Sequence, residues 1–267
     1  MEFRARQGSL TEQSCDVVVV NLFEGVRHPG GGTGAVDRAL GGAIAKAIEE
    51  QEFEGSLGDC LVVSTCTLIP SKRVVVVGLG KSDGFGPQQV MRAAGAAARK
   101  CQELRAKSVA SILHGAGIAG LPAADCAKAV TLGTVLGAYE FTRLKTESAK
   151  PNPIQSFDIV EVSAEKIRDI EVGIERGKLI GDAVVFARDL VNEPSNVVTP
   201  EYLARAAEDI ASEAGMECRV LDREGIEKAG MGLLSAVSRG ASREPRFIEL
   251  RYAAPQGCKT VAIAGKG

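Results

Sequence analysis

Residues 73–105 read RVVVVGLGKSDGFGPQQVMRAAGAAARKCQELR. Four consecutive valines predict a β-strand over 73–78, since branched side chains favour the extended backbone. A glycine-rich turn follows. Pro87 then stands at a first-turn position and opens an alanine-rich helix over 87–105. Outward from this strand–helix pair the alternation repeats. Strands are predicted at 16–21 (DVVVVN), 60–67 (CLVVSTCT) and 108–113 (SVASIL), and helices at 34–51 and 122–145. This is the pattern of crossover helices covering a largely parallel sheet, so residues 1–150 read as one α/β domain.

The stretch 146–157 (TESAKPNPIQSF) carries two prolines and little apolar content, and reads as a linker or loop. A strand at 157–162 and a long helix at 165–191 complete a connecting section, 151–191. In the remainder, 192–267, Thr199 caps a helix that has Pro200 at its first position and Gly215 at its end. Strand 217–221, a short helix around 222–236, and strands 246–252 and 259–264 follow. Three strands and two helices are little for a self-sufficient domain. The second section reads as unfinished.

Composition narrows the function classes. The 267 residues carry 32 Lys+Arg against 34 Asp+Glu, a formal net charge of −2, which speaks against nucleic-acid binding through bulk charge. A hydrophobic content of 45% with 25% charged residues fits a folded globular chain rather than disorder or a coiled coil. The seven cysteines are scattered and never spaced CxxC, so they read as reduced thiols. No run of about 18 apolar residues predicts a membrane span, and the amino terminus lacks a signal-peptide core. A cytoplasmic location is expected.

Three glycine patterns invite a nucleotide reading. Gly78 to Ser82 contains GKS, but a P-loop needs glycine five positions before Gly80, where Val75 stands. Gly115, Gly117 and Gly120 spell GxGxxG after a strand, yet the acid-ended second strand of a dinucleotide site is missing. Gly30 to Gly34 leads into a helix, and Gly31, Gly32 and Thr33 are the candidates for an anion-binding loop. Nucleophilic catalysis has only His28 and His114 as candidate bases and no GxSxG. Zinc-type His/Cys spacings are absent, and no carboxylate cluster stands out. Lys266, between two glycines after a predicted strand, lies where α/β sheets place their active sites.

The GGG stretch with the following AVDRALG resembles the phosphate-cradling loop of macro domains. A larger collinear set is similar to the leucyl aminopeptidase (cytosol aminopeptidase) family: RVVVVGLG at 73–80, RAAGAAAR at 92–99, LGTVLGAYEFT at 132–142, ARDLVNEPSNVVTPEYL at 187–203, Gly230-Met231-Gly232, RFIELRY at 246–252 and Ala264-Gly265-Lys266-Gly267. The resemblance implies a macro-like amino-terminal α/β domain with a mixed, largely parallel sheet, a connecting helix, and an incomplete α/β catalytic domain. It also implies a metal-dependent exopeptidase, hexameric, acting on peptide substrates with two divalent cations, Mn²⁺ or Zn²⁺. Lys266 is the implied metal ligand. The other ligands and the catalytic lysine and arginine would lie beyond Gly267, so no catalytic residue is expected within the chain. A lysine binds metal only as the neutral amine, which neighbouring cations must favour. The 267 residues alone are therefore expected to bind no metal and to be inactive. The alternative is a non-catalytic macro-like module that binds a nucleotide, a nucleic acid or a partner protein. A third possibility is pairing with a separate carboxyl-terminal fragment that completes the sheet.

Overall fold

Six strands build the sheet of the first unit in the computed structural model: β1 (Glu2–Gln7), β2 (Val17–Leu22), β3 (Cys60–Ser64), β4 (Arg73–Gly78), β5 (Ser108–Ile112) and β6 (Ser156–Glu161). Residues 1–117, 120–145, 153–253 and 258–266 are described. The sheet order is β1-β6-β5-β2-β4-β3, with every neighbouring pair parallel except the antiparallel β3–β4 edge. The fold is thus the expected α/β arrangement with a mixed, largely parallel sheet.

The valine runs explain why helices flank both faces. In β2 and β4 alternate side chains point to opposite faces, and every valine is buried. Val17, Val19, Val75 and Val77 enter a core with α3 (Pro87–Glu103) and α4 (Ala123–Ala138). Val18, Val20, Val74 and Val76 enter a second core with α1 (Gly31–Ala39) and α2 (Ala43–Glu50). Small residues let the helices approach closely. A Cβ on Gly133 of α4 would lie 2.1 Å from the Met91 carbonyl oxygen of α3. The long helix α5 (Ile167–Asn192) meets α4 the same way, a Cβ on Gly173 falling 2.3 Å from the Ala124 carbonyl oxygen.

Several sequence readings need correction. The single helix expected over 34–51 is two, because Gly41 and Gly42 adopt φ of +64° and +83° and turn the chain. The Asp37 carboxylate then caps the second helix, accepting from the Ile44 and Ala45 N–H groups at 2.8 and 3.1 Å. The first of these helices also starts earlier, at Gly31. The helix expected over 122–145 ends at Ala138. Strand β1 went unread, since EFRARQ alternates apolar with charged residues as an edge strand does. The linker reading falls largely on 146–152, outside the described residues.

The second unit runs from Asp189 to Gly267. In α6 (Pro200–Ala214) the Thr199 hydroxyl accepts from the Tyr202 N–H at 3.2 Å, and Gly215 ends the helix at φ +64°, as the sequence predicts. Strand β7 (Glu217–Leu221) pairs antiparallel with β8 (Phe247–Arg251). The helix expected around 222–236 is two short ones, α7 (Arg223–Lys228) and α8 (Gly232–Ser238), separated at Gly230 with φ +71°. The strand expected at 259–264 does not form. No described strand pairs with that segment, and Val261 and Ile263 are 80% and 95% exposed.

Candidate functional site

Two places answer to the sequence candidates, one in each unit. In the first unit a cavity of about 540 Å³ opens at the carboxyl ends of β2, β5 and β6, where Leu22, Ile112 and Glu161 line it. Open α/β sheets place ligands at this edge. Gly30, Gly31, Gly32 and Thr33, the start of α1, form another wall. The cap residue Gly30 offers no side chain, Gly31 sits at φ +52°, and a Cβ on Gly32 would come within 3.2 Å of Ile112. The N–H groups of Gly31, Gly32 and Thr33 have no acceptor among the described residues, whereas that of Gly34 donates to the Gly30 carbonyl. The start of α1 therefore presents three donors toward the cavity.

The rest of the lining does not favour an anion. Among the described residues no Lys, Arg or His lines the cavity, and the acidic Glu161 does. That carboxylate is engaged by the Ser163 N–H at 3.1 Å and by Lys166 at 3.5 Å.

Behind the wall lies a polar chain that sequence reasoning missed. The Thr33 hydroxyl donates to the Asn21 carbonyl at 2.7 Å, and the Asn21 side-chain amide nitrogen is 3.0 Å from His114 Nδ1. An amide nitrogen only donates, so Nδ1 accepts and the imidazole proton sits on Nε2, 3.3 Å from Ser111 Oγ. The His114 ring is wholly buried, and desolvation pulls its pKa down to about 4. It is neutral at pH 7 and pins β2 to the end of β5 rather than serving as a base. The signal was there in Asn21, a polar residue ending a run of four valines. His28 is exposed in the loop before α1.

The remaining candidates separate. Gly78 packs against residues 55–58, a Cβ there falling 2.0 Å from the Ser56 carbonyl oxygen, and the Gly80 N–H donates to the Gly55 carbonyl at 3.0 Å instead of facing a ligand. Gly115 lines the cavity at φ +85°, but 118 and 119 of the GxGxxG lie outside the described residues. Cys101 and Cys126 are buried and Cys60 half-buried, and burial raises Cys60 and Cys126 to about 11 and Cys101 to about 12, away from the thiolate form.

Lys266 is in the second unit, exposed, in a segment without regular structure rather than at the end of a parallel strand. No group of three or more His, Cys, Asp or Glu among the described residues could hold a metal ion. A pair of divalent cations needs bridging carboxylates. The residues described do not fit that pair by themselves.

Fold and site together define an α/β chain whose first unit is a helix-covered, mostly parallel sheet and whose second unit sets helices beside the β7–β8 pair. The family model described as "Cytosol aminopeptidase family, N-terminal domain" matches residues 19–148, and that described as "Cytosol aminopeptidase family, catalytic domain" matches residues 185–267. The chain belongs to the cytosol aminopeptidase family. Among curated relatives, a probable cytosol aminopeptidase of Geobacter sp. (strain M21) is 35% identical over 259 residues, 96% of this chain and 51% of the relative. Another, of Alkaliphilus metalliredigens, is 30% identical over 271 residues, 100% of this chain and 54% of the relative. The chain spans about half the length of the curated relatives it matches. Among solved structures, a mutant of tomato leucine aminopeptidase aligns with a TM-score of 0.81 at 28% identity, covering 94% of this chain and 50% of that one. The bottromycin maturation enzyme BotP in complex with Mn aligns at 0.70 and 27%, covering 90% and 46%. No helix among the described residues is long and apolar enough to cross a membrane.

Proposed function

We propose that the protein serves as a metal-dependent aminopeptidase, removing amino-terminal residues from peptides by two-metal hydrolysis, and that residues 1–267 alone have no turnover. The observation that carries this reading is the catalytic-domain match over 185–267, which takes in the whole second unit. In this reading 1–150 is the accessory α/β domain, 151–191 the connection, and 192–267 the opening of the catalytic domain. The Mn complex of BotP supports divalent cations, Mn²⁺ or Zn²⁺, held by a complete catalytic domain. Lys266 is the one ligand assigned to this chain. Hexameric assembly and a cytoplasmic location carry over from the family resemblance as parts of the same proposal.

The test is hydrolysis of Leu-p-nitroanilide with Mn²⁺ or Zn²⁺ added. The 267-residue chain should show none, and one polypeptide that continues it with the second half of the Geobacter relative should show turnover. Turnover by the 267 residues alone would remove the inactivity claim, and a silent continuous chain would remove the aminopeptidase claim.

The anion reading of Gly31, Gly32 and Thr33 is a secondary proposal resting on their three unspent N–H groups. Titration with inorganic phosphate, followed by the amide NMR shifts of these three residues, decides it. Unmoved shifts leave the cavity without that ligand.

A further inference from the structure

The buried polar chain behind the first unit's cavity decides what one of the lining residues offers. Ser111 Oγ donates to the Ile112 carbonyl at 2.9 Å, so toward His114 it accepts, and the imidazole proton sits on Nε2. His114 Nδ1 then accepts from the Asn21 side-chain nitrogen at 3.0 Å. The amide cannot turn over without breaking this chain, and His114, wholly buried, has no water to replace the bond. Asn21 lines the cavity. Its remaining side-chain atom, Oδ1, has no partner among the described residues and is not sealed from solvent. The core of the first unit thus fixes an acceptor at the cavity.

Donors stand close by. Gly32 packs over Ile112 of β5, and β2, which carries Asn21, is the neighbouring strand, about 4.8 Å away. One acceptor and the three N–H groups of Gly31, Gly32 and Thr33 therefore lie within the span of one small molecule. The lining carries no unbalanced charge, since Glu161 is its only ionisable residue and pairs with Lys166 at 3.5 Å. That speaks against a phosphate dianion. The one aromatic residue of the lining, Phe23, is spent on Phe85 with ring centroids 4.9 Å apart, which speaks against a stacked base. Leu22, Val26, Val36, Ile112 and Val160 make the wall aliphatic, and the volume of about 540 Å³ is that of a small-molecule site. The fitting ligand is small, aliphatic and neutral overall, with a donor and an acceptor side by side.

We propose that the cavity of the first unit binds a free α-amino acid with a branched aliphatic side chain. As a zwitterion this ligand has no net charge. Its carboxylate takes the N–H groups of Gly31, Gly32 and Thr33, where the helix start favours negative charge. Its ammonium donates to Asn21 Oδ1, and its side chain packs on Ile112 and Val160. The carboxylate end rests on the anion reading of the α1 start and names the ligand for it; the ammonium end rests on Asn21. The inference is independent of the aminopeptidase reading, in which such amino acids are products.

The experiment titrates the 267-residue chain with L-leucine and follows amide NMR shifts. Saturable shifts are expected at Gly31, Gly32, Thr33 and the Asn21 side-chain amide, with a dissociation constant below about 1 mM. 4-Methylpentanoate, which lacks the ammonium, and isoamylamine, which lacks the carboxylate, should each bind at least about tenfold more weakly. Asn21→Ala should weaken leucine by at least about tenfold and leave 4-methylpentanoate as it was, a split that a general loss of structure does not produce. The two analogues on the parent chain need no variant, so they decide the matter even where Asn21→Ala does not fold. The absence of saturable shifts at these groups overturns the proposal, as does 4-methylpentanoate binding as tightly as leucine. Binding of leucyl-leucine but not of leucine overturns it too, and gives the site to peptides. If inorganic phosphate moves the three amides and leucine does not, the anion reading stands and the amino-acid inference fails; if neither moves them, both fail.

Discussion

The first unit, Met1–Arg188, and the second, Asp189–Gly267, are built from the same alternation of strands and helices, yet they hold together differently. In the first, four parallel pairings and one antiparallel pairing place β2 and β4 inside the sheet, each between two neighbours, and helices bury both faces. In the second, the one strand pair among the described residues is accompanied by α6 and two short helices, and Leu233, Val237, Val261 and Ile263 face outward. A strand is stable by virtue of its neighbours, so one kind of local sequence yields a core in the first unit and an open surface in the second. Closure of the sheet, more than the propensity of any segment, separates the two.

The comparison breaks most visibly on separation of the units. A fragment ending at Arg188 should keep a cooperative thermal transition close to that of the whole chain, while 189–267 alone should show none by circular dichroism. A sharp transition in the shorter fragment would mean that its core is larger than its buried residues indicate. The next effect is a core truncation. Phe157 is fully buried and packs on Phe3 with ring centroids 5.6 Å apart, so Phe157→Ala should cost about 3–5 kcal/mol in denaturant unfolding.

Acid should act through the first unit. Burial holds the folded pKa of His114 at about 4, below the ordinary 6.5, so between these values the unfolded chain takes up a proton that the folded chain refuses. Stability from this group is complete above pH 6.5 and is lost as the pH falls toward 4, by about 3 kcal/mol. His114→Gln, compared with the parent chain over that range, should flatten this part of the profile; an unchanged slope would place the titration elsewhere. The smallest effect belongs to the open face. Val237→Ser should shift the stability of the chain alone by no more than about 0.5 kcal/mol, because its side chain already lies in water.

Legibility in the sequence followed the same division. The runs DVVVVN and RVVVVG announced buried strands, and Pro87, Thr199 and Gly215 marked helix ends, because local chemistry decides such features. The edge strand β1 stayed hidden, since its partner β6 is about 150 residues away and its charged side chains mask the period. The break at Gly41 and Gly42 was overlooked because apolar periodicity continues through it. At 259–264 the local pattern did suggest a strand, and the absence of a described neighbour overruled it. Of the candidate sites, the start of α1 and Lys266 were visible as residue patterns. The link between Asn21, His114 and Ser111 was not, as it joins the ends of two strands whose adjacency only the folded sheet supplies.

The most direct measurement is native-state hydrogen exchange along the intact chain. Amides of β2 and β4 should exchange only through global opening, at a free energy of about 5–15 kcal/mol, while those of β7 and β8 exchange through local opening near zero. Equal protection in the two sheets would contradict the account, for it would show that the second unit is closed as this chain stands.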